Sequence, residues 1–321
     1  MNRDSKIFVA GHKGLAGSAI IRQLNRSGYK NLVTADRSKL DLEDISAVRR
    51  FMQSEKPECV FMAAAKVGGI LANSTFPVDF LLRNLKIQNS IIEASFESKV
   101  QRLLFLGSSC IYPKFSEQPI RESSLLTGSL EETNRAYAIA KIAGIELCWS
   151  YNRQYKTQYL AAMPTNLYGI GDNYDLNASH VLPALIRKFH EAKVTNKKTV
   201  EIWGTGTPRR EFLLSDDLAA ALVHLAELSD DKFSELVAPA ECPIINIGTG
   251  NDLPIKELAA LIQKTVGFEG DLTFNTSKPD GTPRKVLDVS KILSFGWQSR
   301  IDLETGLRIV YDDFLGRFGK N

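Results

Sequence analysis

The sequence predicts an α/β fold, a doubly wound parallel sheet of the Rossmann kind with a smaller C-terminal substrate-binding lobe. Three observations predict it. Strand-like and helix-like segments alternate over residues 6–164. A glycine-rich turn, Gly11-His12-Lys13-Gly14-Leu15-Ala16-Gly17, joins the first strand to the first helix. After about Asn166 the alternation gives way to loops carrying Gly, Asn and Asp. Strands alternating with helices imply parallel pairing with crossovers, and ligands then bind outside the carboxyl ends of the strands.

The elements follow in order. Lys6-Ile7-Phe8-Val9-Ala10 is a short apolar strand, and residues 18–27 form a helical stretch beyond the turn. The glycines allow a tight turn and let a pyrophosphate approach backbone N–H groups at the helix N-terminus. Strand patterns recur at 31–36, 59–65, 103–108 and 159–164, with helical patterns at 45–55, 77–98 and 131–154 between them. Loops occupy 168–179, a helix is expected over 180–192, and another follows the segment 210–217, runs through 227 and returns to the first domain. Residues 1–165 plus about 213–236 are assigned to a dinucleotide-binding domain, and about 166–212 and 237–321 to the substrate lobe.

Composition narrows the function. A chain of 321 residues is long for one core and suggests two subdomains. The net charge of +3, without a basic tail or a long charge block, argues against general nucleic-acid binding. Cys59, Cys110, Cys148 and Cys242 form no CxxC pair and no short-spaced cluster with His, so neither disulfides nor a metal site are expected. No apolar run reaches membrane-spanning length, and residues 1–5 lead straight into the first strand. No membrane partner and a reducing cytoplasm are the expectation.

The chemistry-bearing stretch is Gly107-Ser108-Ser109-Cys110-Ile111-Tyr112-Pro113, followed by Tyr137-Ala138-Ile139-Ala140-Lys141. It supplies a serine, a tyrosine and a lysine at the spacing that reduces or oxidises a sugar ketone. If the extended backbone continues past the strand, Ser108 and Cys110 share a face. Tyr137 and Lys141, four apart, share a helical face.

These residues, with Ala63-Ala64-Ala65-Lys66-Val67-Gly68-Gly69-Ile70, Met163-Pro164-Thr165-Asn166-Leu167-Tyr168-Gly169, Ser179-His180-Val181, Arg210-Glu211-Phe212 and Ser277-Lys278-Pro279-Asp280-Gly281-Thr282-Pro283-Arg284-Lys285, resemble the extended short-chain dehydrogenase/reductase superfamily. Within it the chain is similar to the GDP-L-fucose synthase family, over nearly its whole length. The glycine turn and YxxxK mark only the superfamily; the cysteine after the serine, the Ser-His helix start and the PDGTPRK run are more specific.

The resemblance implies 3,5-epimerisation of a GDP-4-keto-6-deoxy sugar and NADP(H)-dependent reduction at C4. Ser108 would hydrogen-bond the ketone, Tyr137 would protonate the oxygen, and Lys141 would lower the phenol's pKa and bind the nicotinamide ribose. Cys110 and His180 would exchange the protons at C3 and C5, with Ser179 capping the helix and its dipole disfavouring the imidazolium. The implied cofactor residues are Gly11, Lys13, Gly14, Leu15, Ala16, Gly17, Arg37, Asp41, Leu42, Ala63, Ala65, Tyr137, Lys141, Pro164, Asn166, Leu167 and His180. Asp36 departs from the pattern and leaves NADPH against NADH open. The implied substrate residues are Ser108, Asn166, Arg187, Trp203, Arg210 and Lys285, with Arg209 an alternative to Arg210. A homodimer formed through the helices at 77–98 and 131–154 is implied too. The alternatives are a GDP-deoxysugar enzyme that epimerises fewer centres or takes a 3-deoxy substrate, as in GDP-L-colitose synthesis, and a dinucleotide sensor without turnover. An intact Ser108, Tyr137 and Lys141 argue against the sensor.

Overall fold

In chain order the strands are β1 (Ile7–Ala10), β2 (Leu32–Val33), β3 (Cys59–Met62), β4 (Arg102–Leu106), β5 (Tyr159–Pro164), β6 (Asn166–Tyr168), β7 (Thr199–Trp203), β8 (Arg209–Leu214), β9 (Ile244–Ile247), β10 (Asp252–Pro254), β11 (Asp271–Asn275) and β12 (Arg284–Lys285). The helices are α1 (Leu15–Arg26), α2 (Ile45–Glu55), α3 (Ile70–Thr75), α4 (Pro77–Glu97), α5 (Arg135–Tyr155), α6 (Val181–Val194), α7 (Ser215–Glu227), α8 (Asp230–Leu236), α9 (Ile255–Val266), α10 (Ser290–Ser294) and α11 (Leu303–Phe318). They belong to a computed structural model that describes residues 1–176, 179–238, 240–278 and 280–319. Pro279 of the PDGTPRK run lies outside the described residues.

The main sheet is parallel, in the order β2-β1-β3-β4-β5-β9. Every residue of β1, β3, β4, β5 and β9 is buried, as continuous apolar runs require of strands covered on both faces. Helices α1 and α7 pack on one face around Ile20, Leu24, Leu218 and Leu222. Helices α2, α4 and α5 cover the other, around Val48, Ile91 and Ile145. From β1 the chain crosses to β2 on one side and then to β3 on the other. The crevice between β1 and β3 is therefore the switch point where a ligand fits.

The turn after β1 is drawn against β3. Gly11 has φ +83, and a Cβ there would lie 2.7 Å from the backbone of Ala64. A Cβ at Gly17 would lie 2.1 Å from the Gly11 carbonyl oxygen, so α1 could not seat on the turn with any larger residue.

The second lobe holds two smaller sheets. β8 is flanked by β10 and β12 and also pairs with β6, while β7 pairs with β11. Helices α6, α9 and α11 close its core around Leu185, Phe189, Leu258, Ile262, Val310 and Phe314.

Three expectations need correction. The lobe boundary is wrong at β9: it lies within the 237–321 segment assigned to the substrate lobe, yet pairs with β5, and Ile292 and Trp297 join the core under α1 and α7. The edge strand expected over 31–36 narrows to Leu32–Val33, with one neighbour and half-buried side chains. Helix α5 begins at Arg135 rather than 131, because the Glu131 carboxylate accepts from the backbone N–H groups of Thr133 and Asn134 and holds a 3-10 turn there. Helix α7 returns to the first domain as expected.

Candidate active site

The carboxyl ends of β1, β3, β4 and β5 open onto one cleft, and the second lobe faces it through β8 and β12. Ser108 follows β4 directly. Its backbone is extended (φ −162, ψ 144), but the next three residues, Ser109–Ile111, turn into a 3-10 helix. Ser108 and Cys110 therefore do not meet as alternate residues of a strand. They meet through the turn: the Ser108 Oγ accepts from the Cys110 N–H at 3.4 Å and stands within hydrogen-bonding reach of the thiol.

Tyr137 and Lys141 lie one turn apart on α5. Lys141 is buried, donates to the Leu106 carbonyl at 2.7 Å, and sits 4.7 Å from the Phe105 ring centroid and 5.8 Å from that of Tyr137. Phe80 meets Tyr137 edge-on at 6.3 Å. The expectation that Lys141 lowers the phenol's pKa is not met. Burial raises Tyr137 well above 10, and the Cys110 thiol adds to it. Burial also brings Lys141 down to about 8, with Cys110 opposing. Desolvation outweighs the pair interaction because the ammonium is turned to the Leu106 carbonyl.

Cys110, His180 and Lys285 gather beside them. Burial raises the Cys110 thiol; the Lys285 ammonium, the Ser108 hydroxyl and Lys141 pull it down. The surrounding protein lowers the His180 imidazole, and Lys285 lowers it further. Lys285 is itself lowered by burial, with Cys110 opposing and Arg210 reinforcing. Cys110, Glu131, Asn134, Thr282 and Lys285 line a common cleft. His180, not Ser179, is the N-cap of α6 (φ −75, ψ 167), so the ring stands at the helix mouth, open to the cleft.

The remaining residues fall into two groups. Around the glycine turn, Gly14 is the N-cap of α1 and Leu15, Ala16 and Gly17 form its first turn, whose N–H groups have no intrahelical partner. Gly14 is exposed, and a Cβ there would sit in ordinary contact with the Gly11 carbonyl oxygen at 3.4 Å. Ala63 and Ala65 follow β3, beside Gly11. Lys13 pairs with Asp36 at 2.7 Å, while exposed Arg37 pairs with Glu43 at 3.4 Å. Asp41 accepts from the Glu43 N–H at 3.0 Å, and Leu42 packs on the core beneath. Pro164 ends β5; Asn166 and Leu167 lie in β6, where Asn166 donates to the Glu211 carbonyl at 2.8 Å.

In the second lobe, Arg209 and Arg210 point to opposite sides of β8. Arg209 is tied to Asp252 at 3.0 Å, and Arg284 binds the same carboxylate at 2.5 Å. Arg210 instead neighbours Lys285 and Asp280, on the cleft side. Arg187 is held by Glu191 at 2.6 Å and by the Tyr174 carbonyl at 3.1 Å. Trp203, at the end of β7, is exposed between the ammonium groups of Lys188 and Lys278, each 5.2 Å from its ring centroid.

Glu211 has a part the sequence reading did not assign. It is fully buried beside Arg210. One carboxylate oxygen accepts from the Thr249 and Gly250 N–H groups at 2.5 and 2.8 Å, the other from Leu287 N–H at 2.9 Å. Leu287 is two residues beyond Lys285, so the carboxylate fixes β12 and the lysine it carries. The signal was a glutamate at the head of a run of apolar strand residues, Phe212-Leu213-Leu214. Among the described residues no group of His, Cys, Asp and Glu could hold a metal ion, and no helix is long and apolar enough to cross a membrane.

A switch-point crevice over a glycine turn, with serine, tyrosine and lysine at the adjoining strand end, defines a dinucleotide-binding oxidoreductase. Residues 7–248 match the NAD dependent epimerase/dehydratase family, and the chain belongs to it. It is 53% identical to a GDP-L-fucose synthase of Sinorhizobium fredii, over 98% of this chain and 97% of the relative. It superposes with a TM-score of 0.91 on a GDP-6-OMe-4-keto-L-xylo-heptose reductase from Campylobacter jejuni, at 40% identity over 99% of each chain. A GDP-L-fucose synthetase from Naegleria fowleri bound to NADP matches with a TM-score of 0.87, at 26% identity over 100% of this chain and 97% of the other.

Proposed function

We propose that this protein converts GDP-4-keto-6-deoxy-D-mannose to GDP-L-fucose, inverting C3 and C5 and then reducing C4 with NADPH. The relative from Sinorhizobium fredii supports the substrate. The observation that carries the reading is the meeting of two kinds of chemistry at one place: Cys110 and His180 around Lys285, beside Ser108, Tyr137 and Lys141.

The Ser108 hydroxyl and the Tyr137 phenol polarise the C4 ketone and so acidify the hydrogens on C3 and C5. The raised thiol and lowered imidazole are both neutral near pH 7. Between them they hold one transferable proton, the requirement for taking a proton from one face of the sugar and returning one to the other. The Lys285 ammonium stabilises a Cys110 thiolate and disfavours a His180 imidazolium. For reduction, the raised Tyr137 stays protonated at working pH and gives its proton to the C4 oxygen. Lys141, pinned to the Leu106 carbonyl, keeps the α5 face in register with Ser108.

The cofactor fits the residues present: the first-turn N–H groups of α1 would hold a pyrophosphate, and the exposed Lys13 and Arg37 would hold an adenosine ribose phosphate. When bound, NADPH supplies the hydride for C4. Asn166, Arg210, Trp203 and Arg187 are assigned to the GDP-sugar. We further assign a homodimer, supported by exposed Ile70, Leu71, Phe76, Val78, Leu82 and Ile139 on and beside α3, α4 and α5. Four free cysteines support a reducing, cytoplasmic setting.

The test is incubation with GDP-4-keto-6-deoxy-D-mannose and NADPH in D2O. The reading expects GDP-L-fucose carrying deuterium at C3 and C5. A reduced but unepimerised GDP-6-deoxyhexose without ring deuterium would make the protein a C4 reductase alone.

A further inference from the structure

Asp36 stands where its chemistry and that of its neighbours pull against each other. It lies beyond β2, with its backbone carbonyl accepting from the Lys39 and Leu40 N–H groups at 2.8 and 2.9 Å. That turn fixes the residue at the rim of the crevice over the glycine turn. Its Oδ1 lies 2.7 Å from Lys13 Nζ and 3.2 Å from His12 Nε2. Both partners belong to the glycine turn itself, so the contact is made across the adenosine end of the crevice. Arg37, the next residue, is exposed, and its partner Glu43 is already held by Arg83 at 2.7 Å.

A carboxylate at the end of the second strand accepts the adenosine ribose hydroxyls of NAD(H), whereas a cation there accommodates the 2′-phosphate of NADP(H). This chain has both. The carboxylate is not spare, because Lys13 is drawn onto it. Nor are the cations withdrawn: Lys13 and Arg37 remain largely solvent-facing and free to turn. A 2′-phosphate entering beside Asp36 meets one negative charge that opposes it and two cations that favour it. A ribose with two hydroxyls meets an acceptor that Lys13 already orients.

We propose that Asp36 sets the cofactor preference of this protein and makes the pocket accept both NADH and NADPH, with Lys13 shared between the carboxylate and a 2′-phosphate. The inference rests on the reading of the glycine turn as a dinucleotide site.

The test is direct binding, by cofactor fluorescence and by calorimetry, of NADH and NADPH to the cofactor-free wild type, Asp36→Asn and Lys13→Ala, at low and at high salt. In the wild type the two dissociation constants should lie within about tenfold of each other, the scale of one exposed charge contact. Asp36→Asn, isosteric and at a half-buried turn, should tighten NADPH, weaken NADH and widen the ratio by about tenfold or more. Lys13→Ala should move the ratio the other way. The NADPH constant should weaken with salt more steeply than the NADH constant. Binding of both nucleotides with a ratio that Asp36→Asn leaves unmoved would overturn the inference alone. Binding of neither nucleotide would overturn the dinucleotide site and the inference with it.

Discussion

The two halves of the site rest on different supports. Ser108, Tyr137 and Lys141 stand at the end of a fully buried strand and on a helix of 21 residues. His180 stands at the end of the stretch that follows Gly169, and Lys285 on a strand of two residues. What holds this second half is a small number of polar contacts made at a distance. The Gly171 N–H donates to Asp313 at 3.0 Å, Arg317 donates to the Asp172 carbonyl at 3.0 Å, and the Tyr174 hydroxyl donates to the Val310 carbonyl at 3.2 Å, all on α11. Glu211 does the same for β12. On the proposed reading, the hydride-transfer groups and Cys110 are built onto the core, while the placement of His180 and Lys285 depends on remote residues that hold loops in place.

The largest effect that would break this contrast is expected in the core half. Tyr137→Phe should retain NADPH binding but lose about 10²–10⁴-fold in NADPH oxidation, the range of general acid catalysis. Near-normal turnover would remove Tyr137 from the chemistry.

In the hung half, Glu211→Gln keeps the volume but replaces one acceptor of the Leu287, Thr249 and Gly250 N–H groups with a donor. Misplacing Lys285 should lower deuterium exchange at C3 and C5 by up to about 10²-fold. Because the Glu211 carboxylate holds β12 and the Thr249-Gly250 turn and makes no contact with the glycine turn, direct NADPH binding should stay unchanged. Equal loss of exchange and cofactor binding would mean that the carboxylate holds the whole fold instead.

The pH dependence offers a third comparison. Burial brings Lys141 down to about 8, so its ammonium loses its charge as pH rises through that value. Reduction should therefore fall as pH rises through that value, by about tenfold per unit once the charge is lost. A flat profile of kcat/KM to pH 9.5 would show that the ammonium is not needed.

The smallest effect expected on activity concerns the loop before His180. Burial brings the Asp172 carboxyl up to about 7, with its own backbone contacts and Arg317 opposing. The folded protein then binds a proton that the unfolded chain has already released, so stability falls as pH rises from about 4 to 7. Asp172→Asn should flatten that slope and stabilise the protein above pH 7, by up to about 4 kcal/mol from linkage alone. Denaturant unfolding of the two proteins at pH 5 and 8 measures it, and an identical slope in both would show that Asp172 does not titrate in this range.

The same contrast explains what the sequence made legible. The sheet, the glycine turn, α4 and the serine, tyrosine and lysine of the candidate site follow from patterns confined to a few residues, and each lies in or directly after a continuous element. The second lobe is assembled from strands of two to six residues whose partners are distant in the chain, such as β12 on β8 and β11 on β7. No local period marks such pairs. β9 falls in the wrong lobe because a run of three isoleucines and one asparagine reads alike in either place. Glu211 and the Lys13–Asp36 contact needed tertiary structure, since neither pairing has a spacing rule. The sharing of faces by Ser108 and Cys110 was expected from strand alternation and arises instead from a 3-10 turn.

The central claim is that one ketone serves two separable sets of groups, and Cys110→Ser tests it most directly. The substitution keeps Ser108, Tyr137 and Lys141 and replaces the thiol with a hydroxyl that does not ionise near neutral pH. Product analysis with NADPH in D2O should show continued, reduced consumption of NADPH, little deuterium at C3 and C5, and an unepimerised or partly epimerised GDP-6-deoxyhexose. GDP-L-fucose formed at the wild-type rate with full deuterium at both carbons would contradict the account and leave Cys110 a packing residue.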